Sequence, residues 1–403
     1  MKLLAKGGVT SPKGFIAGAT YSGMKTFGED KFDLGILLSE ASCVTAGTFT
    51  TNLIKSPSVV LSQEAVRMGS VRSVVVNSGI ANACVGEQGM IDAQETVGIA
   101  ASHLGISASE MAMCSTGIIG VELPMALIRN GIPRITLSDS IDSSEDFAKS
   151  ILTTDRTWKS YAVQCECDGK VITIGGCIKG SGMIHPDMAT MLAFLTTDAS
   201  VENEYLWSVL REVVDDTFNM ATIDGDGSTN DTVLLLSNGL AGNSPIDINS
   251  TGADQFKAAL IALCDILCRE MVRDAEGGSR IFSVKIEGAK TRTDARLIAK
   301  AVASSSLVKT AVHGSDPNWG RIMAAAGRSG GEIIESRISL SINDVAIMQD
   351  GKPIPFYKDS VVELMKGNEI SFTINLNNGE SGAVAWGCEL TEEYVRFNSA
   401  YTS

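Results

Sequence analysis

A glycine-rich segment followed directly by an apolar run, residues 179–199 (KGSGMIHPDMATMLAFLTTDA), constrains this chain more than any other feature. Gly180 and Gly182 permit backbone angles that are closed to other residues, and Pro186 fixes its own φ angle, so the first half must turn sharply. The second half is short and apolar, as in a buried strand. Thr190 lies where the halves meet. Two interpretations follow: a tight loop that enters a core strand, or a chain that cuts itself before Thr190 and uses the new terminus as a nucleophile.

Length and composition predict a large aliphatic interior. The 403 residues suffice for about two or three core-bearing units, and 44% of them are hydrophobic but only 5% aromatic. A net charge of -14 repels phosphate backbones and anionic membrane surfaces, so we expect no nucleic-acid partner. No apolar run approaches the roughly 18 residues that span a bilayer, and the patch before Lys6 is too short for a secretory signal. We therefore expect a soluble cytoplasmic protein without a membrane partner.

The cysteine and histidine content limits the available chemistry. Nine cysteines without an export signal do not predict a disulfide framework, and none is joined to histidine in a zinc spacing. Three histidines (His103, His185 and His313) exclude an imidazole-rich metal centre, and none lies in a recognisable Ser-His-Asp motif. We expect no metal and no cofactor, which favours a mechanism that needs no histidine.

Apolar periodicity predicts an α/β fold of the mixed α+β kind. Strands are expected at residues 74–76, 171–177, 191–195, 281–286 and 370–376, the last leading into a hairpin turn at 377–379. Helices are expected at residues 138–153, with Ser138 or Asp139 as cap, after a Ser200 cap, at 254–273 and at 294–303. Several strands should be antiparallel, and no long alternation of β and α indicates a doubly wound sheet.

Two hydroxyl residues and a glycine, Ser115, Thr116 and Gly117, interrupt the apolar run of residues 111–120. A turn there would place a hydroxyl and a backbone N–H at one point, which is what a developing oxyanion needs. An ordinary turn from a strand into a loop explains the same residues.

Acidic residues cluster in the segment IDGDGSTND, residues 223–231. Asp224, Asp226 and Asp231 suggest a calcium or magnesium site, but residues 233–236 are apolar where the ligands of a calcium loop should continue. Asx turns that fix the loop are the alternative explanation.

Glu276 lies in RDAEGGSR, residues 273–280, at the predicted end of a helix. The helix dipole disfavours an anion there by a few tenths to about 1 kcal/mol. A carboxylate in that position either holds a substrate ammonium or is a solvated surface group.

Motifs in one order along nearly the whole chain resemble the ornithine acetyltransferase family of arginine biosynthesis, also called glutamate N-acetyltransferase. The matching segments are GTFTTN at 47–52, residues 77–86, STGIIG at 115–120, TTD at 153–155, KGSGMIHPDMATML at 179–192, DGDGSTND at 224–231, SLVKTA at 306–311 and DPNWGR at 316–321. There are two departures. Gly227 replaces the threonine of a DGDTSTND pattern, and AEGGSR replaces GEGATK around Glu276, so the shape of that loop is less constrained.

The resemblance implies that the precursor cleaves itself between Ala189 and Thr190. The α chain of residues 1–189 would carry the oxyanion hole, and the β chain of residues 190–403 would begin with the nucleophile. A layered α/β scaffold similar to N-terminal-nucleophile hydrolases and an α2β2 heterotetramer are also implied. By matching motif positions, the nucleophile would be Thr190, the oxyanion hole Thr116 and Gly117, and the substrate contacts Thr153, Lys179, Thr190, Glu276, Asn398 and Ser403.

The implied reaction moves an acetyl group from N-acetylornithine to glutamate through an acetyl-threonine ester, without a cofactor. Cleavage turns the amide nitrogen of Thr190 into an α-amine with a reference pKa of roughly 7.7–8.0, which suits a general base. Lys179 would bind a substrate carboxylate, and Glu276 the ornithine ammonium. Some members of the family also accept acetyl-CoA, and no motif here decides whether this chain does.

Two other classes of protein remain as alternatives. A self-cleaving amidohydrolase or aminopeptidase with an N-terminal threonine would pass the acyl group to water. A non-enzymatic metal- or ligand-binding protein would use the aspartates of residues 224–231.

Overall fold

The computed structural model describes residues 1–25, 31–185 and 191–400. Ala189, Thr190 and Ser403 lie outside these ranges, and so does the cleavage site predicted from the sequence. In the described ranges no helix is both long and apolar enough to cross a membrane.

Strands and helices are distributed along the whole of the described chain. The strands are β1 (Lys2–Leu3), β2 (Phe15–Thr20), β3 (Leu34–Ser39), β4 (Val44–Phe49), β5 (Ser73–Ile80), β6 (Met111–Ile118), β7 (Lys159–Cys167), β8 (Lys170–Lys179), β9 (Leu192–Thr197), β10 (Ala221–Thr222), β11 (Thr232–Ser237), β12 (Ile281–Ala289), β13 (Ser339–Ile342), β14 (Val345–Gln349), β15 (Lys352–Pro353), β16 (Glu369–Asn375) and β17 (Ser381–Cys388). The α-helices are α1 (Pro57–Met68), α2 (Gln88–Leu104), α3 (Met125–Gly131), α4 (Ile141–Ser150), α5 (Asn203–Asp216), α6 (Ala253–Arg273), α7 (Arg292–Ala303), α8 (Ser306–His313), α9 (Trp319–Gly327), α10 (Lys358–Met365) and α11 (Glu392–Ala400).

Within the same residues the strands form three sheets. Six strands pair in the order β1-β7-β8-β9-β11-β4, four in the order β2-β3-β5-β6, and seven in the order β10-β17-β12-β16-β13-β14-β15. Each sheet mixes parallel and antiparallel neighbours: β9 with β11, β5 with β6 and β12 with β16 are parallel, and most other pairs are antiparallel. The mixed α/β class expected from the sequence is confirmed.

Helices form layers around the two smaller sheets. α1 and α4 pack between the six-stranded and the four-stranded sheet, where Phe147 of α4 contacts Phe194 of β9 with ring centres 5.4 Å apart. α5 and α6 cover the outer face of the six-stranded sheet, and α2 and α3 cover that of the four-stranded sheet. The seven-stranded sheet has a separate core with α7, α8 and α9.

Strand β9 is apolar because both of its faces are buried. Leu192 and Phe194 pack in the core shared with α4, whereas Ala193 and Leu195 pack in the core under α6. Side chains of a strand alternate between its faces, so a sheet buried on both sides needs an unbroken apolar run. The strand expected after the glycine-rich segment is confirmed, and its antiparallel pairing with β8 sets Leu192 opposite Lys179.

Two of the predicted turns are wrong because long-range pairing overrides local turn residues. Residues 115–117 continue strand β6, since β5 pairs with them in parallel. Residues 377–379 do not close a hairpin, because β12 lies between β16 and β17 in the sheet.

The predicted caps of two helices are also wrong. α4 is capped by Ser140, whose hydroxyl accepts the N–H of Ser143, and not by Ser138 or Asp139. α5 begins at Asn203 after Glu202, so Ser200 lies outside it. Helix caps depend on the exact residue at which the backbone turns, which apolar periodicity does not define. The other helices and strands expected from the sequence are confirmed, with shifted ends.

Candidate active site

A cavity of about 730 Å³ lies where several strands and helices end. Its wall contains every predicted site residue that falls in the described ranges, namely Thr116, Gly117, Thr153, Lys179, Glu276 and Asn398. These residues come from β6, the segment after α4, the end of β8, the segment after α6, and α11. Met191, which follows Thr190 in the sequence, also lines the cavity. Residues predicted from separate motifs therefore share one site.

The candidate oxyanion residues lie in a distorted part of β6. The parallel register between β5 and β6 shifts at Gly79 and Ile80, and Gly117 has a φ of 130°. A Cβ atom on Gly117 would lie 2.2 Å from the carbonyl carbon of Gly79, so only glycine fits. Such bulges are common beside active sites because they redirect the backbone. Here Thr116 and Gly117 are left on the cavity wall.

Asn230 joins β6 to the loop before β11. Its Nδ2 donates to the carbonyl oxygens of Ala81 at 2.6 Å and Ser115 at 2.9 Å, and its Oδ1 accepts from Thr229 Oγ1 at 2.5 Å. The side chain is buried and lines the cavity. Asn230 therefore fixes the strand that carries Thr116.

Glu276 accepts short hydrogen bonds on both carboxylate oxygens. Thr154 Oγ1 donates to Oε1 at 2.6 Å, and Asn398 Nδ2 donates to Oε2 at 2.8 Å. The backbone N–H of Glu276 donates to the carbonyl of Ser181 at 2.9 Å. A Cβ atom on Gly182 would lie 2.6 Å from the carboxylate, so the glycine leaves room for it. The result is an oriented anion on the cavity wall, which suits a cationic ligand.

Two lysines supply positive charge to the same cavity. Lys179 Nζ donates to Thr153 Oγ1 at 3.3 Å. Its enclosure by protein lowers the pKa of Lys179, and the Asp155 carboxylate opposes that shift. Lys25 Nζ donates to the carbonyl of Phe32 at 2.8 Å, and burial lowers the pKa of Lys25 to about 8. Both ammonium groups suit a substrate carboxylate.

A buried ion cluster supports the start of the glycine-rich segment. Lys159 Nζ lies 2.6 Å from Asp155 Oδ1 and 2.6 Å from Asp274 Oδ2. Asp155 Oδ1 also accepts the N–H of Gly180 at 2.8 Å. Burial raises the pKa of Asp155, but the ammonium groups of Lys159 and Lys179 outweigh it and hold the pKa at about 2. An ionised Asp155 thus anchors the backbone next to Lys179.

The acidic loop is organised by hydrogen bonds to one aspartate. Asp224 accepts the N–H groups of Met183 at 2.6 Å and Ile184 at 2.9 Å, and that of Asp226 at 3.3 Å. The last of these confirms an Asx turn. In residues 1–25, 31–185 and 191–400, no group of three or more His, Cys, Asp or Glu side chains is arranged to hold a metal ion.

Sequence reasoning assigned no separate role to Thr154, Lys159 or Asn230. Thr154 lies in the TTD segment at 153–155, next to the predicted contact Thr153, and that position is the signal that could have identified it. Asn230 lies in the DGDGSTND segment, but its partner Ser115 is far away in the sequence, as is the second partner of Lys159, Asp274.

Comparison with known proteins gives long matches. A model described as the ArgJ family matches residues 16–403. The arginine biosynthesis bifunctional protein ArgJ of Symbiobacterium thermophilum is 46% identical over 395 residues, covering 98% of each chain. The protein of that name from Lactococcus lactis is 42% identical over 398 residues, covering 99% of each chain. A crystal structure of the Bacillus halodurans protein of that name is 37% identical, with a TM-score of 0.52, and the match covers 53% of this chain and 100% of that chain.

Proposed function

The chain belongs to the ArgJ family, whose enzymes are acetyltransferases of arginine biosynthesis, and from that premise we propose that it transfers an acetyl group from N2-acetyl-L-ornithine to L-glutamate. The products are L-ornithine and N-acetyl-L-glutamate. The observation that carries the proposal is the convergence of six residues, predicted from the family resemblance and distant from one another in the sequence apart from Thr116 and Gly117, on one cavity whose wall also includes Met191.

The charges of the cavity match those of N-acetylornithine, which has an α-carboxylate at one end and an ammonium at the other. We assign the carboxylate to Lys179 and the ammonium to Glu276. Thr153 hydrogen-bonds to Lys179, and Asn398 hydrogen-bonds to Glu276, so each charged group is oriented by a second predicted contact. Contacts of Ser403 with the substrate are proposed from the family resemblance alone.

The catalyst forms, in this proposal, when the chain cuts itself between Ala189 and Thr190. The fragments would be residues 1–189 and 190–403. β8 of the first fragment is the antiparallel neighbour of β9 in the second, and β4 of the first pairs with β11 of the second. One sheet would therefore hold both fragments together.

The residues on the cavity wall supply the parts of a two-step acyl transfer. The Thr190 hydroxyl attacks the acetyl carbonyl carbon, and its proton passes to the α-amine of the same residue. Thr116 and Gly117 stabilise the oxyanion. The C–N bond then breaks, the ammonium proton goes to the leaving ornithine amine, and the acetyl group remains as an ester. The amine of glutamate then attacks the ester carbon and gives a proton to the Thr190 α-amine; the C–Oγ bond breaks and that proton passes to Oγ, which restores the hydroxyl without using a cofactor.

Two finer points of the proposal concern partners. The mature protein is proposed to assemble as an α2β2 heterotetramer of its own fragments, which sedimentation equilibrium would test. Acetyl-CoA as a second acetyl donor is tested by offering it with glutamate in the absence of N-acetylornithine.

Intact-mass measurement and an acetyl-transfer assay together test the proposed function. Freshly purified wild-type protein should give two fragments with masses for residues 1–189 and 190–403, and Thr190→Ala should give one uncut chain. Label in the acetyl group of N-acetylornithine should appear in N-acetylglutamate only with wild-type protein. Release of free acetate without glutamate, at the rate of transfer, would instead support an N-terminal-threonine amidohydrolase or aminopeptidase.

A further inference from the structure

One carboxylate oxygen on the cavity wall has no partner among the described residues. Asp231 is 2% exposed and lines the cavity. Its Oδ2 is buried and makes no hydrogen bond within the part of the chain that the structure describes. A buried acceptor without a donor costs roughly 1–3 kcal/mol. An unsatisfied atom of this kind requires an explanation when its neighbours, such as Asn230, are fully bonded.

The backbone connects Asp231 to the candidate nucleophile. Asp231 directly precedes β11, which pairs in parallel with β9 so that Thr232 is opposite Leu192. The Asp231 carboxylate accepts hydrogen bonds from the N–H of Met191 and from the N–H and hydroxyl of Ser228, and the N–H of Thr232 donates to the Met191 carbonyl at 2.9 Å. Met191 directly follows Thr190 in the sequence, so the N–H that Asp231 accepts belongs to the residue next to the candidate nucleophile.

We propose that Asp231 is a positioning residue for acetyl transfer, whose unpartnered oxygen accepts a hydrogen bond from the ammonium group that forms on Thr190. The inference rests on the proposed function, because only cleavage turns the Thr190 nitrogen into an amine. The carboxylate accepts the N–H of Met191 and two hydrogen bonds from Ser228, while its Oδ2 has no donor among residues 1–25, 31–185 and 191–400 and is open to the amine that cleavage would create.

The proton balance of the reaction is unchanged by this contact. The hydroxyl proton moves to the amine when the acetyl ester forms, and it leaves with ornithine. Asp231 accepts no proton. It stabilises the transient ammonium, as the carboxylate of a catalytic triad stabilises an imidazolium.

The charges near Asp231 are consistent with a second cation. Burial raises the pKa of Asp231 well above its usual range, and Lys179 is the charged group that opposes this shift. Lys179 also faces the carboxylates of Asp155 and Glu276, so its charge is shared among several anions. An ammonium beside Asp231 would favour the ionised carboxylate, and the carboxylate would make the amine a stronger base.

The variant Asp231→Asn, made in the full chain, tests the proposal. The amide oxygen can still accept the N–H of Met191, so the variant should cut itself as the wild type does. Its kcat should fall about 10- to 100-fold, while KM for N-acetylornithine changes less than about threefold. The acidic limb of the kcat–pH profile should move down by at least about one pH unit, because an amine without the neighbouring anion is a weaker base.

A buried aspartate away from the cavity provides the matched control. Asp198 follows β9, is 1% exposed, and accepts the N–H groups of Thr173 at 2.8 Å and Lys13 at 3.2 Å. Asp198→Asn should lower the melting temperature without moving the pH profile. If Asp231→Asn cuts itself and keeps the wild-type kcat and profile, the proposal is overturned. Failure of that variant to cut itself also overturns it, whereas an uncut wild-type chain refutes the proposed function on which it rests.

A crystal structure of the mature wild-type protein gives a test that needs no variant. The proposal expects Asp231 Oδ2 within about 3.2 Å of the Thr190 nitrogen. A separation above about 4 Å, or a different partner for Oδ2, would overturn the proposal even if every variant failed to fold.

Discussion

Thr154 Oγ1 donates a 2.6 Å hydrogen bond to Glu276 Oε1, so a neutral hydroxyl orients the carboxylate assigned to the substrate ammonium. Ser181 Oγ lies 2.6 Å from the same Thr154 oxygen. A hydroxyl can donate only one hydrogen bond, and that of Thr154 is donated to Glu276. Ser181 is therefore the donor in the second contact. The glycine-rich segment is thereby connected to the end of the cavity where ornithine should lie.

We expect Thr154→Val to weaken substrate binding with little effect on chemistry. The change removes the donor and keeps the shape, and one hydrogen bond to a charged group is worth about 1.5–3 kcal/mol. KM for N-acetylornithine should rise at least about 10-fold, with kcat within about threefold. Thr154→Ser retains the hydroxyl and should behave like the wild type. An unchanged KM in the valine variant would contradict the role assigned to Thr154.

Glu276→Gln should impair only substrates that have a side-chain ammonium. The variant keeps the shape of the side chain but removes its charge, so KM for N-acetylornithine should rise about 100-fold. N-acetylnorvaline has the same carbon chain without the ammonium, and with it the variant and the wild type should match. Equal losses on both compounds would show that Glu276 supports the fold of the site and does not bind the ammonium.

Thr116→Val should reduce kcat about 10²- to 10³-fold, because a lost oxyanion donor typically costs that much. Ser115→Ala is the matched control, since the adjacent hydroxyl is buried and makes no hydrogen bond to any described residue. Steady-state assays on both variants, corrected for the fraction cut, make the comparison. Similar losses in the two would indicate that strand β6 is disturbed and that no specific donor was removed.

The parts of the fold that are predictable from sequence are those set by burial on a regular period. β9 is apolar because two cores enclose it, and α5 shows its buried face at helical spacing with Leu206, Val209 and Val213. Pairing between strands is different. The turn residues 377–379 join β16 and β17 along the chain, yet β12 separates them in space. Turn-forming residues indicate only where the chain reverses locally. The order of strands in a sheet depends on how the strands pack in the folded protein.

The same distinction applies to the site. Lys179 and Glu276 are predictable because each lies in a motif whose residues resemble those of a known family. Asn230 and Lys159 act through partners that the fold brings from other parts of the chain, Ser115 in one case and Asp274 in the other. No spacing in the sequence encodes such a contact, so the supporting residues had to be read from the structure.

We expect one thiol to react in the native protein. All nine cysteines are free, and Cys84 is exposed whereas Cys43 is half-buried and the others are buried. Burial raises the pKa of Cys43 to about 11 and that of Cys114 to about 12, which lowers their reactivity further. Iodoacetamide at pH 8 should add one label, found on Cys84 by peptide mapping and lost in Cys84→Ser, without loss of acetyl transfer. Rapid labelling of several cysteines would contradict the burial described for them.

Lys159→Met should destabilise the protein strongly, because it removes the cation that the buried Asp155 and Asp274 share and leaves only Lys179 near the first and Arg156 beside the second. Lys159 is 2% exposed, and removing one partner of a buried ion pair costs about 3–5 kcal/mol. Lys257 pairs with Glu212 at the surface, where such pairs are worth about 0–1 kcal/mol. Urea unfolding at pH 7 should therefore separate Lys159→Met from the control Lys257→Met by several kcal/mol in the free energy of unfolding.

The pH dependence of that difference gives a sharper test. In the wild-type fold the pKa of Asp155 is about 2, below the value of roughly 3.9 for an unfolded chain. The stabilisation from its pairing is therefore fully present above about pH 4 and is lost as the pH falls towards 2. In Lys159→Met the two carboxylates lose the cation that they share. Their protonation at low pH then removes unfavourable buried charge and stabilises the folded variant relative to its unfolded state. The difference in unfolding free energy should shrink between pH 7 and pH 3, and a difference that stays constant over this range would show that the lysine stabilises the fold through packing of its alkyl chain and not through charge.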